Sequence, residues 1–254
     1  MTSKVGFWAA VGLVASLSLF AQSEILAGQV GIAPVRIYLD EATRTAVVEI
    51  SNPGELPIGM QADAMSWHQD NDGQNQYEPT TEILAFPPIF TIQPGQSQLV
   101  RIGLMTPQPA ELEKAYRLYF TELPPPVSEA QGTALRMRLR VGIPVFSAPL
   151  SPQQFDLRLV ESQIDDDRLR VSLHNPGNTH IRVADVYANE LADATRSRSA
   201  RYILPGASQD FLLDLPEDVP ISTVQAVTNQ LGVTSYEVDL DAPAMPVDAE
   251  LASR

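Results

Sequence analysis

Residues 134–146 read ALRMRLRVGIPVF, and in them Leu135, Met137, Leu139, Val141 and Ile143 alternate with Arg136, Arg138, Arg140 and Gly142. Successive side chains of a strand point to opposite faces, so the segment predicts a strand with one apolar and one cationic face. Working outward, the same period of two recurs in short runs broken by Pro, Gly, Asn and Asp. The run 46–50 ends in SNPGELP (51–57), Asn71, Asp72 and Gly73 punctuate next, and PPIFTIQPGQSQLVRIGL (87–104) carries two strands around Pro94 and Gly95. Proline fixes φ and glycine admits positive φ, so each break is a turn with a physical cause. AELEKA (110–115) predicts a short helical turn ahead of the strand YRLYFTEL (116–123). About seven strands are expected by Pro149, the count of a sandwich.

Beyond a proline-rich stretch, VFSAPLSPQQ (145–154), strands are expected in FDLRLVES (155–162), RLRVSLHN (168–175), HIRVADVYA (180–188), QDFLLDL (209–215), TVQAVT (223–228) and SYEVDL (235–240). The expected fold is all-β: two immunoglobulin-like sandwiches in a boomerang arrangement. The N-terminal domain is placed at 29–149, the C-terminal domain at 150–241, and a frayed tail at 242–254.

The N-terminus, MTSKVGFWAAVGLVASLSLFAQSEILAG (1–28), sets Lys4 before an uncharged apolar run from Val5 to Ala21. That is the pattern of a secretory signal peptide, with cleavage expected within 23–28. The competing reading, a transmembrane anchor, needs ~20 apolar residues, and the run falls short. No membrane insertion of the mature chain is expected.

The formal charge of −14 repels phosphate backbones, which argues against nucleic acid as a partner. Without cysteine the chain has neither disulfides nor thiolate chemistry. Candidate catalysis rests on His68, His174 and His180. His174 and His180 flank NPGNT, but two histidines without a carboxylate or thiolate at ligand spacing make a poor metal site and read as a solvated loop pair. Asp70, Asn71, Asp72 and Gly73 suggest a calcium loop whose bidentate glutamate is absent, which leaves a polar turn. No nucleophile elbow or phosphate-cradling glycine loop occurs. The expectation is no catalytic residue, metal or cofactor.

From pattern alone, 134–146 fits an ordinary half-buried strand with solvated arginines, or an edge strand offered to a partner by β-augmentation. The order of PVRIYLD (34–40), VVEISNPGELP (47–57), PPIFTIQPGQSQLVRI (87–102), YRLYFTELPP (116–125) and LRMRLRVGIPVFSAP (135–149), behind a signal peptide, resembles the periplasmic pilus chaperones of the chaperone–usher pathway. In the second half only LRVSLHNPGNTHIRV (169–183) contributes to the likeness. The resemblance implies a periplasmic chaperone that completes pilus subunits with its own strand and delivers them to an outer-membrane usher. Leu135, Met137 and Leu139 match the donor positions, with Val141 extending them, and Arg36 matches an anchor for the subunit's terminal carboxylate. Pro144 stands where the family has a second, lysine anchor. Arg140 or Arg138 as a substitute, or a single anchor, are both open solutions. Glu113 matches an acidic position of an interdomain ion-pair network whose basic partner is replaced by Ala148. The alternative function is a secreted immunoglobulin-like structural or adhesion component of a surface fibre.

Overall fold

The computed structural model describes residues 30–105, 110–124, 138–165, 168–189, 196–197, 200–215 and 220–238. Every regular element among them is a strand. The signal segment, the C-terminal tail, Leu135 and Met137 lie outside the described residues.

In the first half, one sheet orders β1 (Gly31–Ala33), β3 (Thr45–Ser51), β8 (Ser97–Leu104) and β6 (Ile83–Phe86). The facing sheet orders β2 (Ile37–Leu39), β10 (Arg140–Ser147), β9 (Lys114–Glu122), β4 (Ile58–Gln69) and β5 (Asn75–Pro79), with β7 (Ile89–Ile92) also on β4. Alternate residues of both sheets meet in one core: Val48, Ile50, Val100 and Ile102 from the first, Met60, Leu118, Phe120, Ile143 and Val145 from the second. Burial of alternate apolar side chains is what the period of two requires of a sandwich.

The second half repeats the plan. β11 (Arg158–Asp165), β12 (Arg168–His174) and β16 (Ser208–Asp214) form one sheet. β14 (Arg196–Ser197), β13 (Ile181–Ala188), β17 (Thr223–Thr228) and β18 (Gly232–Glu237) form the other, with β15 (Arg201–Ile203) on β13. The halves share a corner down to single atoms. Asn52 in the first Asn-Pro-Gly donates to the carbonyls of Leu56 and Ile92 and accepts from Gly54 N–H. Asn175 in the second donates to Thr179 and Ile203 and accepts from Gly177 N–H. Both asparagines are fully buried, so each side chain replaces the water its turn would otherwise need.

Three details differ from expectation. Residues 110–113 form no helix; Lys114 already opens β9, because Tyr116, Leu118 and Phe120 alternate into the core. The last strand covers Gly232–Glu237 rather than 235–240, its turn being set by Gly232 at φ 71°. The described residues of the first half form ten strands where about seven are expected, partly because the leading strand is cut in two: β1 pairs antiparallel with β3, and β2 crosses to pair parallel with β10.

Candidate functional site

β10 lies between β9, which pairs it along its whole length, and β2, which reaches only Val145 to Ser147. Residues 140–144 therefore have a neighbour on one side only, among the described residues. Glu122 N–H donates to the Leu139 carbonyl at 2.8 Å, and Ala148 N–H donates to the Leu39 carbonyl at 2.8 Å. Backbone groups alternate sides along a strand, so odd residues bond β9, and Arg140 and Gly142 turn their N–H and C=O outward. The Pro144 nitrogen also faces outward, where its missing hydrogen costs no ladder bond. The result is a short unpaired edge that stops where β2 begins.

The side chains sort by the same parity. Ile143 is buried in the first core, Val141 is half-buried against it and Leu139 is half-buried. Arg138, Arg140, Gly142, Pro144 and Phe146 take the outer face. Arg138 donates to the Glu122 carbonyl. The Arg140 guanidinium lies 3.9 Å from the centre of the Tyr119 ring. Gly142 pairs with Tyr119, whose ring and the Arg117 stem lean across it; a Cβ at 142 would meet the ring at 2.7 Å and Arg117 Cδ at 3.2 Å.

Pro144 pairs with Arg117 on β9. On its other side Val145 pairs with Ile37, so one further step of the parallel register sets Arg36 beside Pro144. Two arginines thus flank the proline in one row, on strands two spacings or about 10 Å apart. Arg36 is half-buried and makes no ion pair or hydrogen bond among the described residues. Arg117 makes no ion pair among them either; its guanidinium lies 4.2 Å from the Trp67 ring centre and 5.9 Å from that of Tyr77. Arg140 is four residues from the row, roughly 13 Å along the strand. Arg117 escaped sequence reasoning because a strand arginine carries no local mark; only the pairing of β9 with β10 gives it a place.

Below this row the outer face packs against the second half. Phe146, Trp67 and Ala115 join the core of the second half, together with Leu157, Val183 and Phe211. The His180 ring stacks on Phe146 at 3.6 Å between centres, with Tyr38 and Tyr202 beside it. Its Nδ1 lies 2.6 Å from Glu113 Oε1, which also accepts the His180 backbone N–H at 3.0 Å. Both side chains are almost fully buried. His180 thus belongs to a buried hydrogen-bonded pair rather than the solvated loop pair expected with His174, and it contacts Glu113 where Ala148 offers no partner. Gln69 adds two bonds across the same joint, donating to the Tyr202 carbonyl and accepting from Leu204 N–H, both at 2.9 Å. Gln209 reaches back to the Gly73 carbonyl.

The remaining candidates are structural. Asp70 accepts from the Asp72 and Gln74 N–H groups and from Gln76, which closes a polar turn and holds its carboxyl below the usual range, the Gln74 bond most of all. His174 lies 3.0 Å from the Ser208 hydroxyl, and desolvation lowers its pKa. A cavity of about 740 Å³ opens between the halves beside Glu82, Lys114 and Leu204. In it Glu82 accepts from Lys114 and from Tyr116; these bonds, Lys114 first, hold its carboxyl below the usual range, while burial pushes the Tyr116 hydroxyl up. No group of three or more His, Asp or Glu among the described residues is arranged to hold a metal ion.

Residues 29–153 match the family model of the pili and flagellar-assembly chaperone, PapD N-terminal domain. The probable fimbrial chaperone LpfB of Escherichia coli O157:H7 is 24% identical over 181 residues, covering 69% of this chain and 74% of that protein. Among solved structures, the complex of Salmonella enterica SafA pilin with the SafB chaperone contains a chain that matches with a TM-score of 0.59 at 19% identity, over 83% of this chain and 97% of its own. The CsuC–CsuE chaperone–tip adhesion subunit pre-assembly complex of Acinetobacter baumannii matches with a TM-score of 0.58 at 19% identity, over 82% and 97%. These likenesses extend the two-sandwich fold to both halves.

Proposed function

We propose, from the match of residues 29–153 to the PapD N-terminal domain family and the likeness to a fimbrial chaperone, that the chain is a pilus-assembly chaperone that works in the periplasm, lending β10 to pilus subunits and passing them to an outer-membrane usher. The observation that carries the reading is the unpaired edge of β10, which ends at β2 between Arg36 and Arg117. A sandwich that lacks one strand exposes an apolar groove and a row of unpaired backbone groups, both of which promote aggregation. A strand with outward N–H and C=O groups at Arg140 and Gly142, and apolar side chains at Leu139 and Val141, complements both. In the sequence, Leu135 and Met137 continue that alternation.

The anchor is the Arg36–Pro144–Arg117 row. β2 occupies the edge from Val145 onward, so a subunit strand seated on residues 138–144 ends at this row. With its carboxylate there, it runs parallel to β10. Guanidinium groups make bidentate, charge-assisted bonds to a carboxylate, each about 1.5–3 kcal/mol. Arg117, opposite Pro144 on β9, fills the role left empty by the proline. The two domains divide near residue 150, between the end of β10 and the start of β11. The protein catalyses no covalent step; its work is the exchange of one strand pairing for another.

Co-expression with a pilin lacking its final strand yields a soluble one-to-one complex on this reading. Leu139→Glu, which puts a charge into the donated ridge, abolishes it, and Arg36→Gln weakens it. A complex that survives both substitutions rules out this binding mode.

A further inference from the structure

The outer face around Gly142 carries more positive charge than one terminal carboxylate uses. Arg117 and Arg140 stand in the rows on either side of Gly142, on the same face, and neither has a carboxylate partner among the described residues. Each guanidinium instead rests on an aromatic ring, Arg117 on Trp67 and Arg140 on Tyr119. This is unusual in a chain with 31 acidic and 17 basic residues, where carboxylates are abundant. A ring beneath a guanidinium fixes its plane and leaves its N–H edge directed outward. Between them Gly142 has no side chain, and the space its Cβ would take is closed by Tyr119 and the Arg117 stem. Nothing on β10 itself stands between the open edge and the two guanidiniums.

Resting on the edge reading above, we infer that the strand seated on β10 carries an acidic side chain, Asp or Glu, opposite Gly142 and just ahead of its terminal carboxylate. Directly opposite residues of paired strands point to the same face. The partner residue beside Gly142 therefore projects over the glycine beside Arg140, whose guanidinium lies 3.9 Å from the Tyr119 ring centre. A carboxylate there meets the Arg140 guanidinium, while the Arg117 guanidinium rests on Trp67 in the row beyond Pro144. An apolar side chain would instead desolvate Arg140 without offering an acceptor. Arg36 and Arg117 hold the main-chain carboxylate, and Arg140 reads the side chain, which makes Arg140 a specificity residue.

The test uses the mature protein and labelled synthetic peptides of alternating apolar sequence. These end in a free carboxylate or in an amide, with Glu, Gln or Phe at the penultimate or antepenultimate position, and binding is followed by fluorescence anisotropy. The Glu peptide is expected to bind about tenfold more tightly than the Gln peptide, the value of one charge-assisted bond. Arg140→Gln removes that preference while leaving the preference for carboxylate over amide intact. Arg36→Gln does the reverse. Equal affinity for Glu and Gln, or tightest binding of Phe, overturns the inference and leaves the anchor standing if amides still bind more weakly. Equal affinity for carboxylate and amide overturns the anchor reading while the Glu preference is judged separately. If no peptide binds, the edge is not the site and both readings fall.

Discussion

The outer face of the β2–β10–β9–β4 sheet carries aromatic rings toward both ends, but the two ends are partnered differently. Toward Phe146 the rings of Trp67, Tyr38 and Phe146 meet Tyr202 and His180 from the second half, and Trp67, Phe146 and His180 are buried. Toward Arg140 the rings of Tyr119 and Tyr77 meet guanidiniums of their own half. The comparison teaches how one sheet face serves both as joint and as open surface. Aromatic stacking closes an interface when the opposing side chains are apolar or already hydrogen-bonded, as His180 is to Glu113. Guanidiniums hold their hydration, so the second half cannot close over them without stripping it. Arg117 stands at the boundary, its stem beside Gly142 and its guanidinium over the Trp67 ring.

The sharpest way to break the contrast is at the closed end. Glu113→Ala leaves His180 buried without its acceptor, and removing one member of a buried pair costs about 3–5 kcal/mol. A large drop in the urea midpoint is expected, partly restored by adding His180→Phe, which keeps the stack and deletes the orphaned polar group. At the open end the same kind of deletion should spare stability. Arg36→Gln and Arg117→Gln each weaken carboxylate-terminated partners by about 1.5–3 kcal/mol in a binding titration, with the urea midpoint nearly unchanged. A fall in stability at Arg117 as large as that at Glu113 would erase the distinction between the two ends.

Smaller effects sharpen it further. Gln69→Ala removes two hydrogen bonds across the joint, worth about 1–3 kcal/mol together, and should raise amide exchange around Tyr202 and Leu204 without touching subunit affinity. The smallest concerns pH. Burial lowers the His174 pKa from 6.5, so the unfolded chain takes up a proton there before the folded one does. The resulting stability is complete above pH 6.5 and is lost as pH falls from there through the lowered folded value. Urea midpoints measured from pH 7.5 to 5 should fall more steeply in the wild type than in His174→Gln.

The strands were legible because alternation is a local signal: 168–175 and 223–228 read as strands and form β12 and β17. AELEKA misled because six helix-favouring residues carry little weight beside a core that needs Tyr116 and Leu118 on one face. Arg36 was legible through the family motif. Arg117 was not, since its meaning depends on lying opposite Pro144, and His180 looked like half of a loop pair until the fold brought Glu113 to it from 67 residues away.

By itself the sequence determined the all-β class, the repeated Asn-Pro-Gly corner and the two-faced strand ending in IPVF, because period, turn residues and charge are properties of neighbours along the chain. The tertiary structure alone decided which edge of β10 is unpaired among the described residues, which arginines flank Pro144 and what bonds Glu113. Those depend on strand order and register, which are set by how two sheets bury their apolar faces together, and no local stretch of residues contains that information.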